Sequence, residues 1–152
     1  INSMILDNIM NFLLKKKRKW VNMSEPKVTK QDILNASSQM LNKDLYVVFT
    51  KPTNGLGPVM ENIEEHLKFQ VSLEEKGIMF GAGPFWEENE IDWAGEGMVI
   101  IRANSLSEAK EIAATDPMHK SGARSFIVRP WLLNEGTVNL SINYSKGNFT
   151  LK

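Results

Sequence analysis

Two histidines, His66 and His119, stand in a chain of 152 residues that contains no cysteine. Imidazole titrates in the range that suits general acid and base work. Thiolate nucleophiles, disulfides and cysteine-ligated metals are excluded outright. The second chemical feature is the stretch Asp116-Pro117-Met118-His119-Lys120-Ser121-Gly122-Ala123-Arg124. It follows a segment with helical spacing and places ionisable side chains at a helix end. At a helix C-terminus the macrodipole is negative and a carboxylate gains nothing from it, so Asp116 there calls for another reason. Two reasons compete. Asp-Pro stops a helix, because the residue before proline is driven out of the α region and Asp tolerates turns; alternatively, the carboxylate is held at a cleft to orient a partner. His66 is open to the same two readings. On its helix it falls on the flank of the apolar face, near Ile63, Phe69 and Leu73, where a satisfied core imidazole and a pocket base are both at home. If the two helices pack side by side, Asp116 approaches His66 and can orient its imidazole and stabilise its charged form.

Other chemistries find less support. No glycine pattern marks a nucleophile elbow, which argues against an acyl-enzyme. Gly81-Ala82-Gly83-Pro84 lacks phosphate-loop spacing and opens no helix, so it reads as a bent strand end. Phe85, Trp86, Trp93 and Trp131 are candidates for the wall of a ligand cavity or for packing at a dimer seam. Glu87, Glu88, Glu90 and Asp92 read as a solvated charge run, and without histidines at ligand spacing no metal site is expected.

The elements that must position these residues follow from periodicity and punctuation. Thr29–Lys43 is predicted as a helix capped by Thr29, with Ile33, Leu34, Met40 and Leu41 as its apolar set. Leu45–Thr50 is a buried strand rich in β-formers, and the loop 51–58 follows. Val59–Lys76, with Met60, Ile63, Leu67 and Val71 as a stripe and Gly77 as a stop, is the clearest helix. Ile78–Trp86 and Gly97–Ala103 are further strands. Ser105-Leu106-Ser107-Glu108 is a capping box opening a helix to about Thr115, with Glu108 reaching back to the cap. A fourth strand runs from about Ser125 to Trp131. The order β-α-β-β-α-β is the split unit of an α+β, ferredoxin-like sheet, with an N-terminal helix before it. Two helices on one face leave the other needing cover. Residues 137–152 alternate and turn as a C-terminal β-hairpin.

Composition sets the limits. A hydrophobic content of 42% and a charged content of 24% are ordinary for a soluble domain. The zero net charge conceals an asymmetry: five of the 18 basic residues lie in Lys15–Lys19, and Asp7 alone of the 18 acids precedes Met23. From Met23 onward 13 basic face 17 acidic residues, a net of −4. That argues against a nucleic-acid footprint on the folded part. No apolar run is long enough to span a membrane. The apolar residues between Met4 and Leu14 precede the basic run, the reverse of a secretory signal. A membrane-surface helix and a localisation-like basic patch are alternatives to an extension outside the fold; residues 1–28 are read as a flexible extension, 29–152 as one domain with its core at 45–136, and the location as cytoplasmic.

The ordered set of Leu45–Thr50, His66 in a helix, Gly77-Ile78-Met79-Phe80-Gly81-Ala82-Gly83-Pro84, Ser105–Pro117 and Arg129-Pro130-Trp131 resembles the YciI-like (YCII-related) family over roughly Leu45–Gly136. The resemblance implies a ferredoxin-like fold that dimerises through its sheet faces into a dimeric α/β barrel, which would cover the open face. It also implies a histidine–aspartate dyad in a cleft, mapping onto His66 and Asp116. One relative, a dehydrochlorinase of a chlorinated hydroxyhydroquinone, implies that such a site supports elimination. Two departures stand out: Asn62–Glu65 supplies no arginine ahead of His66, which argues against anion binding there, and Met118 replaces a frequent aromatic, which implies a different pocket shape. The expected function is a cofactor-independent lyase or isomerase with His66 as base or acid and Asp116 orienting it. Arg129 or His119 would stabilise an anion, and Trp86 and Trp131 would contact a small-molecule ligand. A non-catalytic, ligand-binding homodimer is the alternative.

Overall fold

The computed structural model describes residues 27–151 together with Asp7, Met10, Asn11 and Leu14. Lys15–Lys19 and most of the apolar segment ahead of them lie outside the described residues, and with them any reading of the extension. In chain order the elements are α1 (Lys30–Ala36), β1 (Lys43–Pro52), α2 (Leu56–Glu61), α3 (Ile63–Glu75), β2 (Met79–Pro84), β3 (Gly97–Ile101), α4 (Leu106–Ala114), α5 (Pro117–Lys120), β4 (Arg124–Leu133), β5 (Leu140–Asn143) and β6 (Asn148–Leu151). Asp44–Leu132 form one compact unit, and the flanking segments up to Lys43 and from Leu133 form another.

Within the central unit four strands stand in the order β2-β3-β1-β4. β1 runs antiparallel to β3 with Tyr46 opposite Ile101 and Thr50 opposite Gly97. β2 runs antiparallel to β3, with a bulge between Met79 and Gly81. This is the ferredoxin-like order predicted from the sequence. Its cause is the split pattern itself: the first strand–helix–strand passage leaves a gap between β1 and β2, β3 fills that gap by pairing with both, and the second passage returns β4 to the free edge of β1.

Strand alternation divides the side chains between two faces. On one face Val48, Val99 and Ile101 are buried against Ala109 and Ala113 of α4, with Tyr46, Phe126 and Val128 packed around them. The two alanines, four residues apart, share one helical stripe and let α4 lie close on the sheet. On the other face Val47, Phe49, Met98, Ile100, Arg129, Pro130 and Trp131 line a groove. A smaller cluster of Val59, Met118 and Ala123, with Ile63 and Trp93 against it, joins α2, α3 and α5.

Several local expectations change. The first helix ends at Ala36, not Lys43, because Ser37 and Asn42 fold the chain into a turn. The Ser37 hydroxyl donates to the Ile33 carbonyl, the Asn42 amide donates to the carbonyls of Ser37 and Met40, and Asn42 takes φ 50°. Leu41, expected on an apolar helix face, is exposed. The predicted helix 59–76 is two helices broken at Asn62, whose side chain donates to the Pro58 carbonyl while its backbone leaves helical values. Its packed face is also rotated from the expected stripe: Leu73 is buried and His66, Phe69 and Gln70 are half-buried, whereas Met60, Leu67 and Val71 are exposed. At α4, Ser105 accepts from the Glu108 amide as expected, but the Glu108 carboxylate reaches the amide of Asn104 instead of the cap.

In the flanking unit, Thr29 and Asp32 form a reciprocal capping box on α1. β5 and β6 pair antiparallel as the expected hairpin, with Asn143 opposite Asn148. Among the described residues no helix is long and apolar enough to cross a membrane.

Candidate functional site

Asp116 is not the tail of α4. It is the N-cap of α5, extended at φ −59° and ψ 129°, with Pro117 at the first helical position and its Oδ1 accepting from the Met118 amide at 2.9 Å. The sequence reading placed the carboxylate at the unfavourable end of a helix dipole. The chain instead turns from one helix directly into the next, so the carboxylate meets the favourable end of α5. Met118, one of the departures from the family pattern, is fully buried in the small cluster and is not part of the cavity wall.

α3 brings His66 against this carboxylate. The imidazole Nδ1 lies 2.9 Å from Oδ1 and 2.8 Å from Oδ2, and the two side chains are 12% and 4% exposed. Gln70, one helical turn after His66, donates from Nε2 to Oδ2 at 3.2 Å. Burial by itself pushes the Asp116 carboxyl up. The hydrogen bond and charge of His66, the Met118 amide and the charge of His119 outweigh burial and hold it below the usual carboxylate range. Asp116 is therefore an anion that only accepts, and it fixes the proton of neutral His66 on Nδ1. Nε2 is left with its lone pair and no protein partner among the described residues.

His119 behaves differently. Its Nδ1 donates to the Ala113 carbonyl at 2.6 Å, its Nε2 lies 3.0 Å from the Thr50 hydroxyl, and its ring packs on Phe126. Burial lowers its pKa, against the opposing pull of the Ala113 carbonyl and Asp116. The neutral ring accepts from Thr50, so both nitrogens are committed. This arrangement leaves it no free donor for an anion.

His66 lines a cavity of about 620 Å³ between α3, the β2–β3 end of the sheet and the start of β4. Ile63, Leu67, Val71, Met79 and Val99 supply apolar wall, while Thr50, Gln70, Glu74, Glu96 and Arg124 supply polar groups. Trp86 and Trp93 both line it. Trp93 is anchored by its indole donating to the Glu96 carbonyl at 2.7 Å. Arg129 and Trp131 are elsewhere, in the groove on the opposite sheet face. The reason is parity: Phe126 and Val128 of β4 pack into the helix-side core, so the odd-numbered Arg129 and Trp131 point the other way. Arg124, which sequence reasoning passed over, shares the even parity and is the arginine in the cavity. Gln70 was also missed, although its spacing of four from His66 was a usable signal.

The acidic connection is a loop closed on itself, with the Asn89 side chain bonded to Asp92 and to the Ile91 amide. Among the described residues no group of histidines and carboxylates is placed to hold a metal ion.

Comparison with known proteins gives three findings. The sequence model of the YCII-related domain matches residues 45–132, almost the whole of the central compact unit. The uncharacterized protein YjpA of Bacillus subtilis (strain 168) is 29% identical over 90 residues, which is 59% of this chain and 96% of YjpA. Among solved structures, 5-chloro-2-hydroxyhydroquinone dehydrochlorinase (TftG) from Burkholderia phenoliruptrix AC1100, in complex with 2,5-dihydroxybenzoquinone, is similar at 22% identity with a TM-score of 0.45, over 57% of this chain and 92% of that one. With its central unit matched from the first strand to the last, the chain belongs to the YCII-related domain family.

Proposed function

We propose that this protein transfers a proton to and from a small carbonyl-containing molecule bound in the cavity, with His66 as the base and Asp116 as the residue that orients it. The observation that carries the reading is the contact of His66 Nδ1 with both Asp116 oxygens at the wall of a largely apolar cavity. A carboxylate that holds the proton on Nδ1 leaves Nε2 as the acceptor, the relation found wherever a buried acid directs a histidine base. In the proposed step the C–H bond next to a carbonyl breaks, the proton passes to Nε2, and the electron pair moves into the carbonyl to give an enolate. Return of the proton at a different carbon is isomerisation; loss of a leaving group from the neighbouring carbon is elimination. The reaction class is thus lyase or isomerase, and the step needs only a proton acceptor and a site that excludes water.

The test is hydrogen–deuterium exchange. Small ketones and 2-oxo acids are incubated with the protein in D2O and their acidic C–H signals followed by NMR. Enzyme-dependent loss of a signal that is abolished in His66→Ala and Asp116→Ala, with fold retained by circular dichroism, supports the reading. Binding of such molecules without exchange would instead favour a non-catalytic carrier.

The same proposal has a second copy of the chain covering the open sheet face, where Phe49, Met98, Ile100 and Trp131 form an apolar groove. Light scattering should give twice the chain mass for the wild type and a single chain for Trp131→Glu; a monomeric wild type removes this part of the proposal.

A further inference from the structure

The cavity contains a buried cation that forms no ion pair among the described residues, although Glu74 and Glu96 line the same cavity. Arg124 is only 5% exposed, its Nε is buried without a hydrogen-bond partner, and its guanidinium lines the same cavity as His66. Among the described residues no carboxylate approaches it to ion-pair distance. What it does touch is the face of Trp93, with the guanidinium carbon 5.4 Å from the ring centroid. Asp116 attracts it from farther away, but the carboxylate oxygens are already engaged by His66, Gln70 and the Met118 amide. A guanidinium removed from water and given only an aromatic face lacks the planar acceptor that its fork of donors matches best, a carboxylate or another delocalised oxyanion.

We infer that the cavity selects small planar anions, with Arg124 as their binding residue: a carboxylate or an ionised enol or phenol on a flat apolar body. The apolar body follows from the walls, which are Trp93, Trp86, Leu67 and Val71 around His66 and Arg124. The inference rests on the reading of this cavity as the ligand site, and it assigns the substrate class of that site.

The experiment compares benzoate with nitrobenzene, a neutral molecule of nearly the same shape, by NMR titration of the full chain. Benzoate is expected to bind about tenfold or more tightly than nitrobenzene. Arg124→Gln should lower benzoate to the affinity of nitrobenzene, and Arg124→Lys, which keeps the charge should the neutral variant fold poorly, should retain part of the preference. Equal binding of the two probes by the wild type, no detectable binding of benzoate, or a preference that survives in Arg124→Gln would overturn the inference. His66→Gln separates it from the proton-transfer reading: benzoate preference should persist there. If it is lost in His66→Gln and kept in Arg124→Gln, the anion's partner is the imidazole and the assignment to Arg124 is wrong. A full preference with no exchange on any ketone or oxo acid would leave the anion site standing and remove the proton transfer.

Discussion

Replacing Asp116 separates its two contributions, holding the fold and setting the His66 tautomer. Three donors converge on its carboxylate: His66 Nδ1, the Met118 amide and Gln70 Nε2. Asp116→Ala leaves all three without their acceptor in a site nearly closed to water. Leaving buried donors unsatisfied costs about 1–3 kcal/mol each, so a total of roughly 3–5 kcal/mol is expected, which in a domain of this size lowers Tm by roughly 6–20 °C. Asp116→Asn keeps the shape and is milder. The introduced amide oxygen still accepts from Met118, and Gln70, whose Oε1 is buried without a partner, can rotate to accept from the new amide. Charge-assisted bonds become neutral ones while a buried charge is removed, so a net loss of about 1–2 kcal/mol is expected. The larger consequence is for His66, which faces an amide donor at one carboxylate position and gains by moving its proton to Nε2. Long-range 1H–15N correlation of the imidazole reads this directly: Nδ1–H in the wild type, Nε2–H in Asp116→Asn, with proton transfer reduced about 10²–10⁴-fold. A wild-type His66 protonated on Nε2, or Asp116→Ala unfolding within about 0.5 kcal/mol of wild type, would refute the reasoning.

Three further outcomes follow from the same geometry. Stability should decline as pH falls, in two steps. Burial depresses the His119 pKa below its ordinary 6.5, so the stability tied to its neutral form is complete above that value and is lost as pH falls through the folded pKa. The Asp116 contribution is complete above 3.8 and is lost only at lower pH, because its folded pKa is depressed too. Urea unfolding from neutral to acid pH should show the first step flattened in His119→Gln. Thr50→Val removes the donor to His119 Nε2 and leaves that nitrogen buried and unsatisfied, a loss of about 1–3 kcal/mol by urea unfolding; no change would show that the Thr50 hydroxyl does not satisfy Nε2. Gly95→Ala introduces a Cβ 2.5 Å from Pro52 Cγ and 2.8 Å from Leu56 Cδ2 at a φ of +89°. Strain and overpacking together should cost about 2–4 kcal/mol in thermal unfolding.

The order of strands and helices was legible because it is written in local periodicity. Leu45–Thr50 and Gly97–Ala103 are continuous apolar runs, the helix around His66 has its own spacing, and Ser105 caps the next one. Capping and turn chemistry act within a few residues, so Thr29 and Gly77 could be read as boundaries too. What fails is the same kind of reading pushed one step further. A stripe of Met60, Leu67 and Val71 looks like a core face, yet the helix breaks at Asn62 and buries Leu73 instead. The sheet face that receives the helices, and the arc of α3 that meets the sheet, are set by packing between residues far apart in the chain, and no local window contains that information.

The site shows the same division. Residue type left two readings open for His66 and Asp116, and the family pattern singled them out as a pair. Their separation of 50 positions in the chain and under 3 Å in space is a product of α3 and α5 packing together. The Asp116 electrostatics reversed once the chain was seen to turn into a new helix at Pro117. Arg124 and Arg129 are equally basic in the sequence, and only the pleat of β4 sends one into the cavity and the other to the opposite face. The sequence by itself determined the inventory of elements and put forward His66 and Asp116 as a candidate pair, since both depend on residue chemistry and pattern. The tertiary structure decided the pairing, the tautomer and which cation stands beside it, because each of those depends on distances closed by the fold as a whole.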